Sequence, residues 1–494
     1  MIIKVNFISF LFCPDRPNTP HRMTELYFMR RIYALRYTES TKKARDSNTN
    51  MPKSHNMPNK ISKQNGKVKK DVWYKLDLSA IVYPTLQRRD FSSVYRLSVV
   101  LKSSVDPEIL QQALDRTLPR FPTYKVAIRK GLFWRYLEPN NRPGPYVKED
   151  IKNPCMPMPF KGNNRYLIRV YYYGCRIALE AHHSLGDGTG GMCLLQTLTA
   201  SYLELLGHPV KPEGFVLDIN EDPDPEELED AYMRYAHAQV CPPRPAEKTY
   251  RVRGTKEPFY TLNIIDGILS VQEVMAVAKK YNASITEYLN AVLLYALLQK
   301  QYGDFHIRLR PVRIAMPVNL RRFFPSKTLR NFITMVYPFV DPRLGQYTFE
   351  EIVAHVHNYM RYYINDKFLR GDITTNAATQ RNPFIRVVPL FIKDFVVRTF
   401  YTKVQDKNSS AGLTNMGALH VPADMKPFIE RFDIYMGQPF SSRTNCAIIS
   451  FEDILTINFA SSIVEADVER YFFRKLVQDG IHVKIESNRD LDVM

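Results

Sequence analysis

The chain offers little for a metal or a disulfide to work with. Its six cysteines among 494 residues show no CxxC pairing, so neither a zinc framework nor a disulfide scaffold is indicated, and reduced thiols in a cytoplasmic protein are expected. No HExxH string occurs. The one glycine-rich stretch, Gly186 to Gly191, lacks the Gly-Lys-Ser/Thr ending of a phosphate loop, which argues against nucleotide hydrolysis. No segment approaches eighteen consecutive apolar residues, so stable membrane insertion is not expected. The short apolar start, Ile2 to Cys13, runs into Arg16, Pro17 and Pro20 without a small-residue cleavage site. It reads as a translation start set too far upstream, with Met23, Met51 and Met57 as candidate starts, rather than a signal peptide.

Charge is abundant, but it is unevenly spread. The formal net charge is +18, yet residues 1–70 hold fifteen Lys/Arg and four Asp/Glu, a net of +11. The remaining +7 over 424 residues is ordinary, so no nucleic-acid partner is inferred. From Thr38 to Lys70 the segment is also rich in Asn, Ser, Pro and Gln and cannot build a core; a disordered basic tail is expected over 1–70. Hydrophobic residues at 45% and charged residues at 24% are globular values. The length exceeds one ordinary core, so two domains are expected.

The most specific string is His182-His183-Ser184-Leu185-Gly186-Asp187-Gly188. Before it, Tyr166–Tyr173 and Arg176–Ala181 read as two strands around Gly174. After it, Leu195, Leu198, Tyr202 and Leu205 fall at helical spacing, with Gly207 as a stop. The histidines thus end a strand where a tight turn begins. Imidazole is the natural general base near neutral pH. Successive strand residues point to opposite faces, so one histidine is expected to be reactive and the other structural, and a metal site using both with Asp187 is disfavoured. Asp187 has two readings: N-cap of the following helix, or a partner that turns back and fixes the loop by an ion pair or hydrogen bonds.

This string resembles the signature of the CoA-dependent acyltransferase superfamily, which includes chloramphenicol acetyltransferase, plant acyltransferases, peptide-synthetase condensation domains and bacterial alcohol acetyltransferases. Pro317-Val-Asn-Leu-Arg321 resembles its "P-V-x-L-R" element, and Leu413-Thr-Asn-Met-Gly417 its "S-N-L-G" element. Leu132-Phe-Trp134 with Tyr136–Asn140, and Gly480–Asn488 at the end, look most like the alcohol acetyltransferase branch. The likeness covers about Val72 to Asn488.

The resemblance implies two chloramphenicol-acetyltransferase-like subdomains with the active site in a tunnel at their interface. It implies acyl-CoA, here acetyl-CoA, as co-substrate with no tightly bound cofactor and no metal, and a small-molecule alcohol or amine acceptor. Because a thioester already activates the acyl group, the protein needs only to position an acceptor, take its proton and stabilise the oxyanion. On the superfamily pattern His183 is the base and His182 is supporting. Asp187 is paired with an arginine, Arg321 first, then Arg322 and Arg313. Gly188 lets backbone approach the site. Thr414 stands where an oxyanion donor is expected, though the residue alone reads equally as a sheet threonine, and Asn415 and Gly417 shape its turn. Phe432–Gly437 departs from the late plant Asp-Phe-Gly-Trp-Gly loop, and no carrier domain is attached. An amide-forming enzyme fed by a carrier-protein thioester, and a binding protein that kept the fold without catalysis, stay open beside the O-acyltransferase.

Helices and strands alternate in both halves, an α/β or α+β pattern. The first subdomain is drawn at 72–206, with Val94–Leu101 extended, a helix capped by Asp106, and strands near Tyr124–Arg129 and Leu132–Leu137. An acidic, proline-rich crossover at 207–257 includes Cys241–Pro245. The second subdomain is drawn at 258–494. It has helices from Ser270 and from Thr286 to Lys300, an extended Arg308–Met316, a strand at Leu413–Met416, a hairpin about Glu452-Asp453 and a closing helix Asp467–Gln478.

Overall fold

All eight residues of strand Val94–Leu101 are buried, and the first sheet grows from it on both edges. In a computed structural model of the chain, residues 73–489 are described apart from 88–90, 151–152, 238–247, 259–260, 305–307, 404–407 and 438–441. The basic segment 1–70 with its candidate starts, and the Cys241–Pro245 run, lie outside the described residues.

The first sheet has five strands in the order Ile429–Met436, Val94–Leu101, Arg176–His182, Ile168–Tyr173 and Val147–Glu149. All neighbours are antiparallel except the last pair, which is parallel. The β-branched and aromatic runs around Gly174 form the expected hairpin, with Gly174 at φ 53°, a left-handed turn position that glycine takes without steric cost. Arg96 is the one charged residue of this strand, and Glu180 and Asp150 pair it at 2.9 and 2.6 Å. A buried charge is tolerated when it is matched in this way. Two helices cover the sheet. Pro107–Thr117 is capped by Asp106, which accepts from the Glu108 and Ile109 amides, and Gly188–Leu205 has its leucines in the same core.

The second sheet runs Ile333–Val336, Val312–Asn319, Ala411–Leu419, Thr444–Phe451, Ile454–Ser461, Asn263–Ser270, Lys484–Ser487, with Phe339–Val340 on a further edge of Val312–Asn319. Ala411–Leu419 is parallel to both of its neighbours, whereas Thr444–Phe451 and Ile454–Ser461 form a regular hairpin. Helix Ile285–Gly303 is buried nearly throughout and packs between helices Phe349–Tyr363 and Asp467–Gln478. Its N-cap is Ser284 in a capping box with Glu287, so it starts one residue before the Thr286 expected from sequence.

Three features differ from the sequence reading. Strand Ile429–Met436 comes from the second half of the chain but completes the first sheet. Residues 207–237 are well anchored: Val210 and Val216 are buried, Glu227 pairs with Arg120 at 2.6 Å, and Tyr232 bonds Ser79 and the Ile333 carbonyl. Helices Phe349–Tyr363, Asp366–Arg381, Pro383–Val387 and Leu390–Lys403 fill a stretch to which periodicity assigned nothing. Among the described residues no helix is long and apolar enough to cross a membrane.

Candidate active site

His182 is the last residue of its strand and His183 the first of the turn. The His183 amide donates to the Ser93 carbonyl at 2.8 Å, and the His183 carbonyl accepts from the Asn331 side chain at 2.9 Å. Both backbone groups are therefore fixed, one by the residue that precedes strand Val94–Leu101 and one by a residue 148 positions later. Two tyrosines flank the ring: Tyr83 stacks on it with centroids 4.8 Å apart, and Tyr95 lies tilted at 4.6 Å. Burial lowers the pKa of His183 from near 6.5 to about 3, opposed by a backbone interaction with Gly186. The imidazole is neutral, the state a proton acceptor requires.

His182 points the other way. It is fully buried, its Nδ1 accepts from the Ser184 amide at 3.2 Å, and Phe160 meets the ring edge-on. Burial, then the neighbouring His183 and Arg169, lower its pKa to about 3. The two rings diverge as strand alternation requires, and only His183 lines the cavity.

Asp187 satisfies both of its sequence readings at once. Oδ1 accepts from the Thr189 and Gly190 amides as N-cap, while Oδ2 meets Arg321 at 2.8 Å and accepts from the Phe332 amide at 2.8 Å. Both carboxylate oxygens are thus occupied, one by the turn amides and one by the guanidinium and the Phe332 amide. Arg321 also donates to Asn319 and to the Thr328 and Arg330 carbonyls, so one guanidinium ties the strand end to the loop that follows. Arg322 instead lines the cavity, and Arg313 stacks over Phe339. Asn319 reaches Thr189 at 3.2 Å.

Glycine is needed here because of close approach. A Cβ on Gly186 or Gly190 would come within 2.6 Å of the Tyr124 hydroxyl and collide with the Leu329 carbonyl oxygen. On Gly188 it would meet Met416 Sδ at 2.8 Å, so the backbone comes close to a side chain from the second sheet.

These groups border a cavity of about 820 Å³. His183 and Thr189 line it from the first half of the chain, and Met316, Thr414 and Asn415 from the second. Thr414 lies on Ala411–Leu419, opposite Ala447. Asn415 donates to Thr286 at 2.9 Å and accepts from the Gly417 amide at 2.8 Å, and Gly417 has φ 78°. This is the turn chemistry expected of the pair, and a register shift between Asn415 and Ala418 marks it in the sheet. Sequence reasoning missed Tyr83, Tyr95 and Asn331. Nothing local signals them, because each acts by reaching His183 from another element.

No family model matches the chain, and no curated protein matches it in sequence. Solved structures do match in fold. TRI101 of F. sporotrichioides, solved with coenzyme A and T-2, is 12% identical with a TM-score of 0.55, covering 83% of this chain and 99% of that one. TRI3, the trichothecene 15-O-acetyltransferase of Fusarium sporotrichioides, is 12% identical with a TM-score of 0.54, covering 84% and 95%. The first condensation domain of the CDA synthetase is 14% identical with a TM-score of 0.53, covering 84% and 100%. The chain has the two-subdomain fold shared by condensation domains and CoA-dependent acetyltransferases.

Proposed function

We propose that this protein transfers an acyl group from acyl-CoA to the hydroxyl of a small-molecule acceptor, with His183 as general base. The observation that carries the reading is a neutral, backbone-clamped His183 in a cavity lined from both halves of the chain. The acceptor O–H gives its proton to the imidazole as its oxygen attacks the thioester carbonyl. The Thr414 hydroxyl donates to the resulting oxyanion. On collapse the CoA thiolate leaves and takes the proton back from the imidazolium. The base is desolvated, so its positive charge and the oxyanion must develop together, which favours the transition state over the separated charges. Asp187 and Arg321 hold the turn and touch no reacting atom.

TRI3 is named as an O-acetyltransferase and TRI101 is solved with coenzyme A, which supports this donor and acceptor class. Incubation of the purified protein with acetyl-CoA and panels of alcohols and amines, following free thiol, is the test. Alcohol-dependent thiol release supports the proposal. Release with amines alone favours the amide-forming reading. Binding of acetyl-CoA without release to any acceptor overturns catalysis in favour of a binding protein.

A further inference from the structure

Helices Pro383–Val387 and Leu390–Lys403 carry large apolar side chains that, among the described residues, are left exposed. Phe384, Val387, Phe391 and Phe395, with Leu132 and Trp134 in the turn of the hairpin formed by strands Val126–Lys130 and Arg135–Pro139, are 51–80% exposed. An isolated exposed leucine is common, but several large exposed apolar side chains on adjoining elements mark an interaction surface. The two elements are locked together: the Leu390 amide donates to the Leu132 carbonyl at 2.8 Å, and Lys393 Nζ donates to the Phe133 carbonyl at 2.9 Å. The opposite face of the longer helix is ordinary core, where Val397, Phe400 and Tyr401 pack on Val82 and Leu86.

The charge pattern narrows the occupant. From 381 to 398 the chain has Arg381, Arg386 and Arg398 as exposed cations against a single acid, Asp394, while Lys393 is committed to the Phe133 and Arg386 carbonyls. Arg135 neutralises that acid at 2.6 Å. Lys130 adds an exposed cation beside the turn of the hairpin. Phenylalanine, leucine and tryptophan flanked by cations, on elements too short and too polar to span, is the composition of a surface that lies in a membrane interface. We propose that this face docks on an anionic lipid surface, with the aromatic side chains entering the acyl boundary and the cations meeting headgroups. The proposal is independent of the acyl-transfer reading.

The test is sedimentation of the full chain with phosphatidylcholine vesicles made with and without phosphatidylserine. The wild type is expected to pellet with the serine-containing vesicles and to be released by salt. The triple variant Phe384→Ser, Phe391→Ser, Phe395→Ser should lose on the order of a hundredfold in partitioning while its thermal melt is unchanged. Arg386→Gln and Lys130→Gln should each cost about fivefold. If the triple variant fails to fold, Phe391→Ser alone and Arg386→Glu carry the test. A wild type that stays in the supernatant overturns the proposal. So does a triple variant that pellets as well as wild type, which would assign lipid binding elsewhere. A wild-type dimer that the triple variant converts to monomer would assign the face to a second copy of the chain, and equally overturns it.

Discussion

Two segments meet at the cavity and contribute different things. The turn 182–190 brings the His183 ring to the cavity and starts a helix, and its composition states this openly. The segment 319–332 directs Arg321, Asn331, the Asn319 side chain, the Phe332 amide and the Leu329 carbonyl at the first segment, while Arg322 lines the cavity. On the proposed reading the first segment carries the base and the second holds it in place. The arrangement works because a tight turn cannot satisfy its own polar groups: the His183 carbonyl and Asp187 Oδ2 both need donors from outside.

If that division is right, changes in the two segments should separate rate from stability. The largest effect is expected from His183→Ala, which should lower thiol release on the order of a hundredfold to ten-thousandfold while the melting temperature and acetyl-CoA binding persist. Activity within a few-fold of wild type would break the comparison on the chemical side. His182→Ala should affect stability more than rate.

Asp187→Asn should reduce both, with a stability cost of about 3 kcal/mol, the low end for breaking a buried pair, because Arg321 keeps its carbonyl acceptors. Arg321→Gln should be strongly non-additive with it in a double-mutant cycle followed by thermal or denaturant unfolding. Additive effects would show that the two segments are not coupled through this pair. Gly190→Ala sharpens the same point without touching charge. Alanine would ordinarily gain up to about 1 kcal/mol inside a helix. Here its Cβ would collide with the Leu329 carbonyl, and a net loss of about 1–3 kcal/mol is expected in urea unfolding. A stabilised Gly190→Ala would mean that the clamp is loose.

A last effect concerns pH. Both histidines have folded pKa values of about 3, below the unfolded value near 6.5. Below pH 6.5 the unfolded chain takes up protons that the folded chain refuses. These residues therefore lower stability progressively as pH falls from about 6.5 toward 3, and have no effect above that window. His183 also stays neutral through the usual histidine range, so kcat/KM should show no acidic limb near pH 6.5. A limb at that pH that disappears in His183→Gln would show that the cavity is wetter than its burial indicates.

Much of the fold was legible where patterning and capping agree. Asp106, Ser270 and the Asn445–Phe459 hairpin appear close to where the residues put them, because a cap or a turn is written within three or four positions. Phe349–Tyr363 has a readable capping box in Thr348 and Glu351, but Leu390–Lys403 was opaque for a physical reason. It is apolar on the core side and on the exposed side, so it lacks the contrast from which amphipathic periodicity is read.

The sequence alone determined the turn: adjacent histidines at a strand end, the aspartate that starts the next helix, and the glycines between them form one local unit of nine residues. It did not determine what holds that unit. Arg321 lies 134 positions from Asp187 and Asn331 lies 148 from His183, while Ile429–Met436 pairs with Val94–Leu101 across more than three hundred residues. Alternation tells a strand which face to bury but not which neighbour to join. An arginine's partner is set by whichever carboxylate the packed sheets bring within reach. Those choices arise only when the two sheets close on each other, because only then do the lone polar groups of one half find the donors of the other.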